Sequence, residues 1–136
     1  MADIAIDTDV ASSLQKGAEP AWVRDHVVGS RTWLTFVTVG ELSKWARVRG
    51  WSEVKQARLH GWIAMRPVIP YDREIARTWG GLAGNAQRRG RPRPQNDTWI
   101  AACCIQLGVP LITLNRKDFT DFATHKGLVL LDHNDT

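Results

Sequence analysis

Short apolar runs alternate with amphipathic stretches along this chain. Ile4 to Ile6 is an apolar run ending at Asp7, which predicts a buried strand. Thr8 or Asp9 then caps a helix through Val10, Leu14 and Lys16, ended by Gly17. Glu19-Pro20 starts a second amphipathic helix, with Trp22, Val23, Val27 and Val28 apolar and Gly29 as its stop. Thr32 to Val39 is β-branched and aromatic and predicts a second buried strand. A helix follows from Gly40 or Glu41 to about Arg49, with Leu42, Trp45 and Val48 on one stripe and Gly50 closing it.

In the second half, Ser52 caps a helix carrying Val54, Leu59, Trp62 and Ile63, and Pro67 to Pro70 is a short extended segment. Asp72 caps a further helix through Ile75, Trp79 and Leu82, weakened at Gly80, Gly81 and Gly84 by about 1 kcal/mol each against Ala. Gly90 to Pro94 reads as a loop. Asn96 or Asp97 opens a helix through Ile100, Ala101, Cys104 and Leu107 to Gly108. Pro110 to Leu114 predicts a strand, Lys117 to His125 a helix, and Leu128 to Leu131 a last strand.

Strands alternating with helices predict one α/β domain over residues 1–136, with three α/β/α layers around a central parallel sheet. In such sheets, sites form beyond the carboxyl ends of the strands, where strand order reverses. Asp7 falls there after the first strand, and Asn115 and Asp118 after the fourth.

Composition narrows the class. The 136 residues suit a single domain, and 43% hydrophobic content is enough for a core. Met1-Ala2-Asp3-Ile4 shows no signal-peptide pattern and the apolar runs are too short for a bilayer, so a soluble cytoplasmic protein without membrane contact is expected. Cys103 and Cys104 are adjacent, lack metal-type spacing and lie in an apolar helical stretch, and read as reduced core residues. The net charge of +4 only weakly favours a polyanion. Its distribution says more, because Arg88, Arg89, Arg91 and Arg93 cluster in one Gly/Pro-rich stretch while acids sit at the ends of apolar segments. A basic rim around an acidic site suits a polyanion that meets carboxylates through bound cations.

Asp7, Glu41, Asp97 and Asp118 are the candidate acids. Each has an ordinary use: Thr38-x-x-Glu41 fits a capping box, Asp97 suits a helix first turn, and Asp7 and Asp118 can cap the helices that follow them. Gathered in one place they would repel by about 1 to 4 kcal/mol per close pair, depending on the surrounding dielectric. Protonation or a divalent cation offsets such repulsion, and hard oxygen ligands suit Mg²⁺ or Mn²⁺. The histidines at 26, 60, 125 and 133 pair with no Ser or Cys motif.

Four blocks in order then carry a family resemblance: Ile4-Ala5-Ile6-Asp7-Thr8-Asp9-Val10, Val37-Thr38-Val39-Gly40-Glu41-Leu42, Gly90 through Ala102 around Asn96-Asp97, and Leu111-Ile112-Thr113-Leu114-Asn115-Arg116-Lys117-Asp118-Phe119. The chain resembles the PIN-domain family, specifically the VapC-type toxins of toxin–antitoxin pairs. The resemblance implies a Mg²⁺- or Mn²⁺-dependent endoribonuclease with metal ligands at Asp7, Glu41, Asp97 and a fourth acid. It also implies a homodimer and a cognate antitoxin covering the active site. Many relatives carry an acid where this chain has Asn115; others use the acid before the Phe, which is Asp118 here and the expected fourth ligand. Thr8, Asp9, Thr113 and Asn115 are expected as supporting polar groups, and Arg88, Arg89, Arg91 and Arg93 as holding RNA. Trp33 is expected in the core, and Trp45, Trp51 and Trp62 lie where the resemblance puts dimer and antitoxin surfaces. Two other readings stand beside this one. A non-catalytic member would bind RNA or a partner protein. Asp7-Thr8-Asp9-Val10 also looks like the nucleophile loop of haloacid-dehalogenase-type phosphatases, although Glu41 and Asp97 would then have no role.

Overall fold

A computed structural model describes residues 1–132; His133 lies outside them. The chain runs β1 (Ala2–Ile6), α1 (Thr8–Lys16), α2 (Ala21–Val27), β2 (Ser30–Thr35), α3 (Phe36–Val48), α4 (Glu53–Ala64), β3 (Val68–Ile69), α5 (Arg73–Arg88), α6 (Gln95–Leu107), β4 (Leu111–Ile112), a 3₁₀ turn (Arg116–Asp118) and α7 (Thr120–Lys126). The strands lie in the order β3-β2-β1-β4, all parallel, with Ala2 beside Ser30 and Ala5 beside Leu111. The chain moves outward from β1 to β2 and β3, then returns to the far side of β1 for β4. Strand order therefore reverses between β1 and β4, and the crevice beyond their carboxyl ends is where a parallel sheet exposes a site.

Period-two alternation in β1 divides the core between the two faces. Ile4 and Ile6 pack with Val10, Leu34, Leu42 and Leu59 on one side, while Ala5 packs with Ile75, Ile100 and Leu111 on the other. Fully burying one such aliphatic chain stabilises the fold by about 1.5–3 kcal/mol. Cys103 and Cys104 are buried free thiols in the second cluster, and burial raises the pKa of both, Cys103 to about 12. This is the three-layer parallel α/β arrangement expected from the alternation of elements.

The main departure is at the second strand, which was expected to reach Val39 and stops at Thr35. Thr35 is the reason: its hydroxyl accepts the Thr38 N–H at 3.2 Å and caps α3, so Phe36 to Val39 become the first helical turn despite their β propensity. The Thr38…Glu41 capping box is not formed, and Glu41 stands one turn inside the helix. At α1 the cap is Asp7 rather than Thr8 or Asp9, through a 3.0 Å bond from the Val10 N–H.

Smaller differences follow the same logic of local competition. Asp72 and Ser52 cap their helices as expected. Helix α5 continues through Gly80, Gly81 and Gly84 to Arg88, because Ile75 and Leu82 pack into the core cluster that holds α6 and Ala86 is buried. The expected Lys117–His125 helix is broken into the 3₁₀ turn and α7, and the last strand reduces to one parallel bridge between Leu111 and Leu130. Val28, Val48 and Val54 point to solvent rather than into the core.

Candidate active site

Asp7 follows β1 directly and Thr113 follows β4 directly, so the central strand pair sets them side by side. The Thr113 hydroxyl donates to Asp7 Oδ2 at 2.5 Å, while Asp7 Oδ1 caps α1. Both oxygens of this carboxylate are thus held, and the side chain is only 4% exposed. Its pKa stands at about 6, raised mainly by removal from water; the Thr113 and Val10 bonds pull it down, and Asp9 and Asp97 add smaller pushes upward.

Glu41 is held from the opposite wall by a chain of hydroxyls. Thr8 donates to Glu41 Oε1 at 2.6 Å, and its hydroxyl lies 3.0 Å from that of Thr38. With the Thr8 proton committed to the carboxylate, Thr38 is the donor in that second contact. Thr35 donates in turn to Thr38 at 3.5 Å. From α6, the Asn96 amide donates to Glu41 Oε2 at 3.3 Å.

Asp97 lies in the first turn of α6, where the helix dipole favours a carboxylate. Its pKa nevertheless rises to about 6, by burial first and then by repulsion from Asp118, Glu41 and Asp9, with Arg93 opposing. Asp118 sits in the 3₁₀ turn with Arg93 3.9 Å from its Oδ1. Asn115 donates from its amide to Asp9 Oδ2 at 2.5 Å, and from its backbone N–H to the Thr113 hydroxyl at 2.9 Å. Asp9 is therefore a first-turn acid of α1 tied to Asn115.

These acids line one cavity of about 200 Å³, with Asp7, Asp9, Glu41, Asp97, Asp118 and Asn115 supplying polar walls. Trp45, Ile100 and Phe119 supply the apolar ones. The donors are hard oxygens, and no His or Cys lines the space, a set that suits Mg²⁺ or Mn²⁺. The raised proton affinities of Asp7 and Asp97 come first from burial and then from neighbouring carboxylates, whose repulsion a divalent cation would offset. Among the described residues, however, no three His, Cys, Asp or Glu side chains are drawn to metal-ligating spacing. The carboxylates line the cavity, with Asp7, Glu41 and Asp9 each held by a donor of its own.

Sequence reasoning missed three members of this arrangement. Trp45 was assigned to a surface, although its position four residues after Glu41 places both on one face of α3. Asn96, next to Asp97, and Thr38 were not marked as partners of the site. The arginines divide. Arg93 reaches Asp118, Arg89 pairs with Asp121 on α7 at 2.6 Å, and Arg88 and Arg91 are exposed. Trp33 is half-buried with its indole N–H on Asp3, and Trp45, Trp51 and Trp62 are partly buried beneath Arg49, Lys55 and Arg66. None of His26, His60 or His125 lines the cavity.

No family model matches the chain. Ribonuclease VapC1 of Haemophilus influenzae is 31% identical over 120 residues, which cover 84% of this chain and 87% of the relative. Ribonuclease VapC5 of Mycobacterium tuberculosis is 27% identical over 124 residues, covering 90% and 87%. The solved structure of VapBC-1 from nontypeable Haemophilus influenzae superposes with a TM-score of 0.81 at 26% identity, across 97% of this chain and 98% of that one. With that likeness running through nearly the whole length, the chain belongs to the VapC family of PIN-domain ribonucleases.

Proposed function

We propose that the protein is a cytoplasmic, Mg²⁺- or Mn²⁺-dependent endoribonuclease, the toxin of a toxin–antitoxin pair. The observation that carries this reading is that Asp7, Glu41, Asp97 and Asp118, distant in sequence, line one cavity at the carboxyl ends of β1 and β4. These four carboxylates would hold the cation, with Asp9 at the edge. When bound, such an ion would neutralise phosphate charge and lower the pKa of water, so that hydroxide is available to attack phosphorus.

The chain's own residues do the positioning. Thr113 holds Asp7 in one rotamer, and the Thr38–Thr8 hydroxyls and Asn96 hold Glu41 against the facing wall. Asn115 fixes Asp9. Trp45, Ile100 and Phe119 limit water on the remaining side. Arg88 ends α5, and Arg89 and Arg91 lie in the connection that leads to Asp97 on α6, and each phosphate contact they made would add salt-dependent affinity.

For the partners, the solved relatives are described as VapBC complexes and toxin–antitoxin systems. This chain leaves Val48 of α3, Val54 of α4 and Met65 beyond α4 exposed, near the partly buried Trp51 and Trp62. Exposed apolar groups of this kind fit a protein interface, which the antitoxin or a second copy of the chain would cover. No described helix is long and apolar enough to cross a membrane.

The test is cleavage of RNA by the purified protein with Mn²⁺, against Asp7→Asn and against chelator. Both should abolish cleavage while circular dichroism stays unchanged. A second reading, a non-catalytic RNA- or partner-binding member, is favoured by the lack, among the described residues, of three His, Cys, Asp or Glu side chains at metal-ligating spacing. Calorimetric Mn²⁺ titration separates the two, since a silent site takes up no Mn²⁺ in a manner dependent on Asp7 and Asp97. The phosphatase alternative is displaced by the family assignment.

A further inference from the structure

Helix α3 brings Glu41 to the acidic cavity, and the same row of side chains continues away from it. Glu41, Trp45 and Arg49 stand four residues apart, so they follow one another along one side of the helix, with Arg49 as its helical C-cap. Trp45 lines the cavity beside Glu41. Arg49 lies over the Trp45 ring, its guanidinium carbon 5.2 Å from the centroid. At 1.5 Å per residue, Arg49 stands about 12 Å along the helix from Glu41. Lys44, three residues after Glu41, is exposed next to the row.

The charge along this stretch has one sign. Between Glu41 and Glu53 the chain carries Lys44, Arg47 and Arg49 and no acid. All three are exposed, and none has an ion pair among the described residues. The helix dipole favours cations in the last turn, which accounts for Arg47 and Arg49 being near that end. It does not account for Lys44, a turn further in, or for Arg49 closing the row that starts at the cavity. Arg49 is held by an aromatic face rather than by a carboxylate, which leaves its planar fork of donors open to a phosphate.

We propose that this row is the RNA path on the α3 side of the acidic cavity: as the single strand leaves the carboxylates, Lys44 and Arg49 meet its neighbouring phosphates and Trp45 walls the nucleotide between. The occupant follows from the charge, which is complementary to a polyanion, and from continuity with the cavity through Trp45. Arginine over an aromatic ring beside a cationic track is a usual way to hold single-stranded nucleic acid. The inference deepens the ribonuclease reading and rests on it for the identity of the ligand.

The experiment is fluorescence anisotropy of the full chain with a labelled uridine dodecamer between 50 and 300 mM salt, in chelator so that binding is read without cleavage. Each cation that meets a phosphate adds about 0.7 to the slope of log affinity against log salt. Lys44→Gln and Arg49→Gln should each flatten the slope by about that amount. Arg47→Gln removes the same charge from the same helix, about 120° around it from Glu41, and should keep the parent slope. Arg49→Lys keeps a charge beside the ring and should also keep it; a loss there equal to that of Arg49→Gln would trace the effect to the ring and overturn the contact. An unchanged slope in Lys44→Gln and Arg49→Gln overturns the path and leaves this face to a protein partner. Equal flattening by Arg47→Gln overturns it as well, since net charge alone would then decide. The expected pattern in a protein that never cleaves RNA with Mn²⁺ leaves the path standing and overturns the nuclease reading instead.

Discussion

The Thr113 hydroxyl rests 2.5 Å from Asp7 Oδ2, across 106 residues of chain. The bond exists because β1 and β4 are neighbours only through the reversal of strand order, with Ile6 beside Ile112. One residue beyond each strand end, a fully buried hydroxyl meets a buried carboxylate. Thr113→Val keeps the shape and removes the donor. Asp7 then loses the largest influence holding its pKa down, so its proton should come off at a higher pH than the present value near 6. Supporting partners of this kind are worth about 10–100-fold in metal affinity or activity. The expected result is a loss of that order in cleavage, with the acid limb of the pH–rate profile moved upward. An unmoved limb would reduce Thr113 to a packing residue.

Asp7 also ties stability to pH. Its pKa stands near 6 in the folded protein against an ordinary 3.8, with burial as the main cause. The folded state therefore binds this proton more readily than the unfolded chain. The stabilisation is present in full below about pH 4 and is lost as pH climbs through 6. A displacement of that size amounts to roughly 3 kcal/mol. In chelator at pH 7.5, Asp7→Asn should melt several degrees above the parent while having no activity, and the difference should shrink at pH 5. Asp97 acts in the same direction, but its partial exposure lets solvent screen the effect. Melting curves of both variants at the two pH values check the sign.

Cation binding should reverse that penalty. An ion that binds the folded state alone stabilises it in proportion to the logarithm of its concentration over the dissociation constant. Mn²⁺ titrated into the parent should raise Tm progressively, and Asp7→Asn and Asp97→Asn should each abolish the rise. Asp3→Asn, on the exposed start of β1, should leave it intact. A rise that persists in both site variants would place the cation elsewhere.

Much of this arrangement was legible from the chain, for reasons that differ by element. The Ile4–Ile6 run is too short for a core helix and ends in an acid, so β1 and the position of Asp7 followed from periodicity. Helix α6 announced itself through a loop ended by Pro94, Asp97 in its first turn and a long apolar run. Residues 36–39 were misread because their β-branched and aromatic side chains fit a strand as well as a buried helix turn. What decides between them is the cap supplied by Thr35, a single hydroxyl. Glu41 still reached the site, since α3 merely begins one turn earlier. The bonds from Asn96 to Glu41 and from Thr8 to Glu41 depend on how α6 and α1 pack beside α3, which no local pattern encodes.

The Arg-rich stretch makes a prediction that separates its members. Arg89 is committed to Asp121, at 2.6 Å and with both side chains largely covered. Arg91 is exposed and has no ion pair among the described residues. A cation that contacts a phosphate of single-stranded RNA adds about 0.7 to the slope of log affinity against log salt. Arg91→Ala should therefore flatten that slope by about this amount and leave Mn²⁺ binding unchanged. Arg89→Ala should flatten it less, because Arg89 must first leave its carboxylate partner. Asp121→Asn frees the guanidinium and should steepen the slope. Affinities measured by anisotropy between 50 and 300 mM salt, in chelator, give all three values. Slopes that stay together across the three variants would show that this loop does not touch the RNA backbone, and the cationic surface would have to be sought on another face.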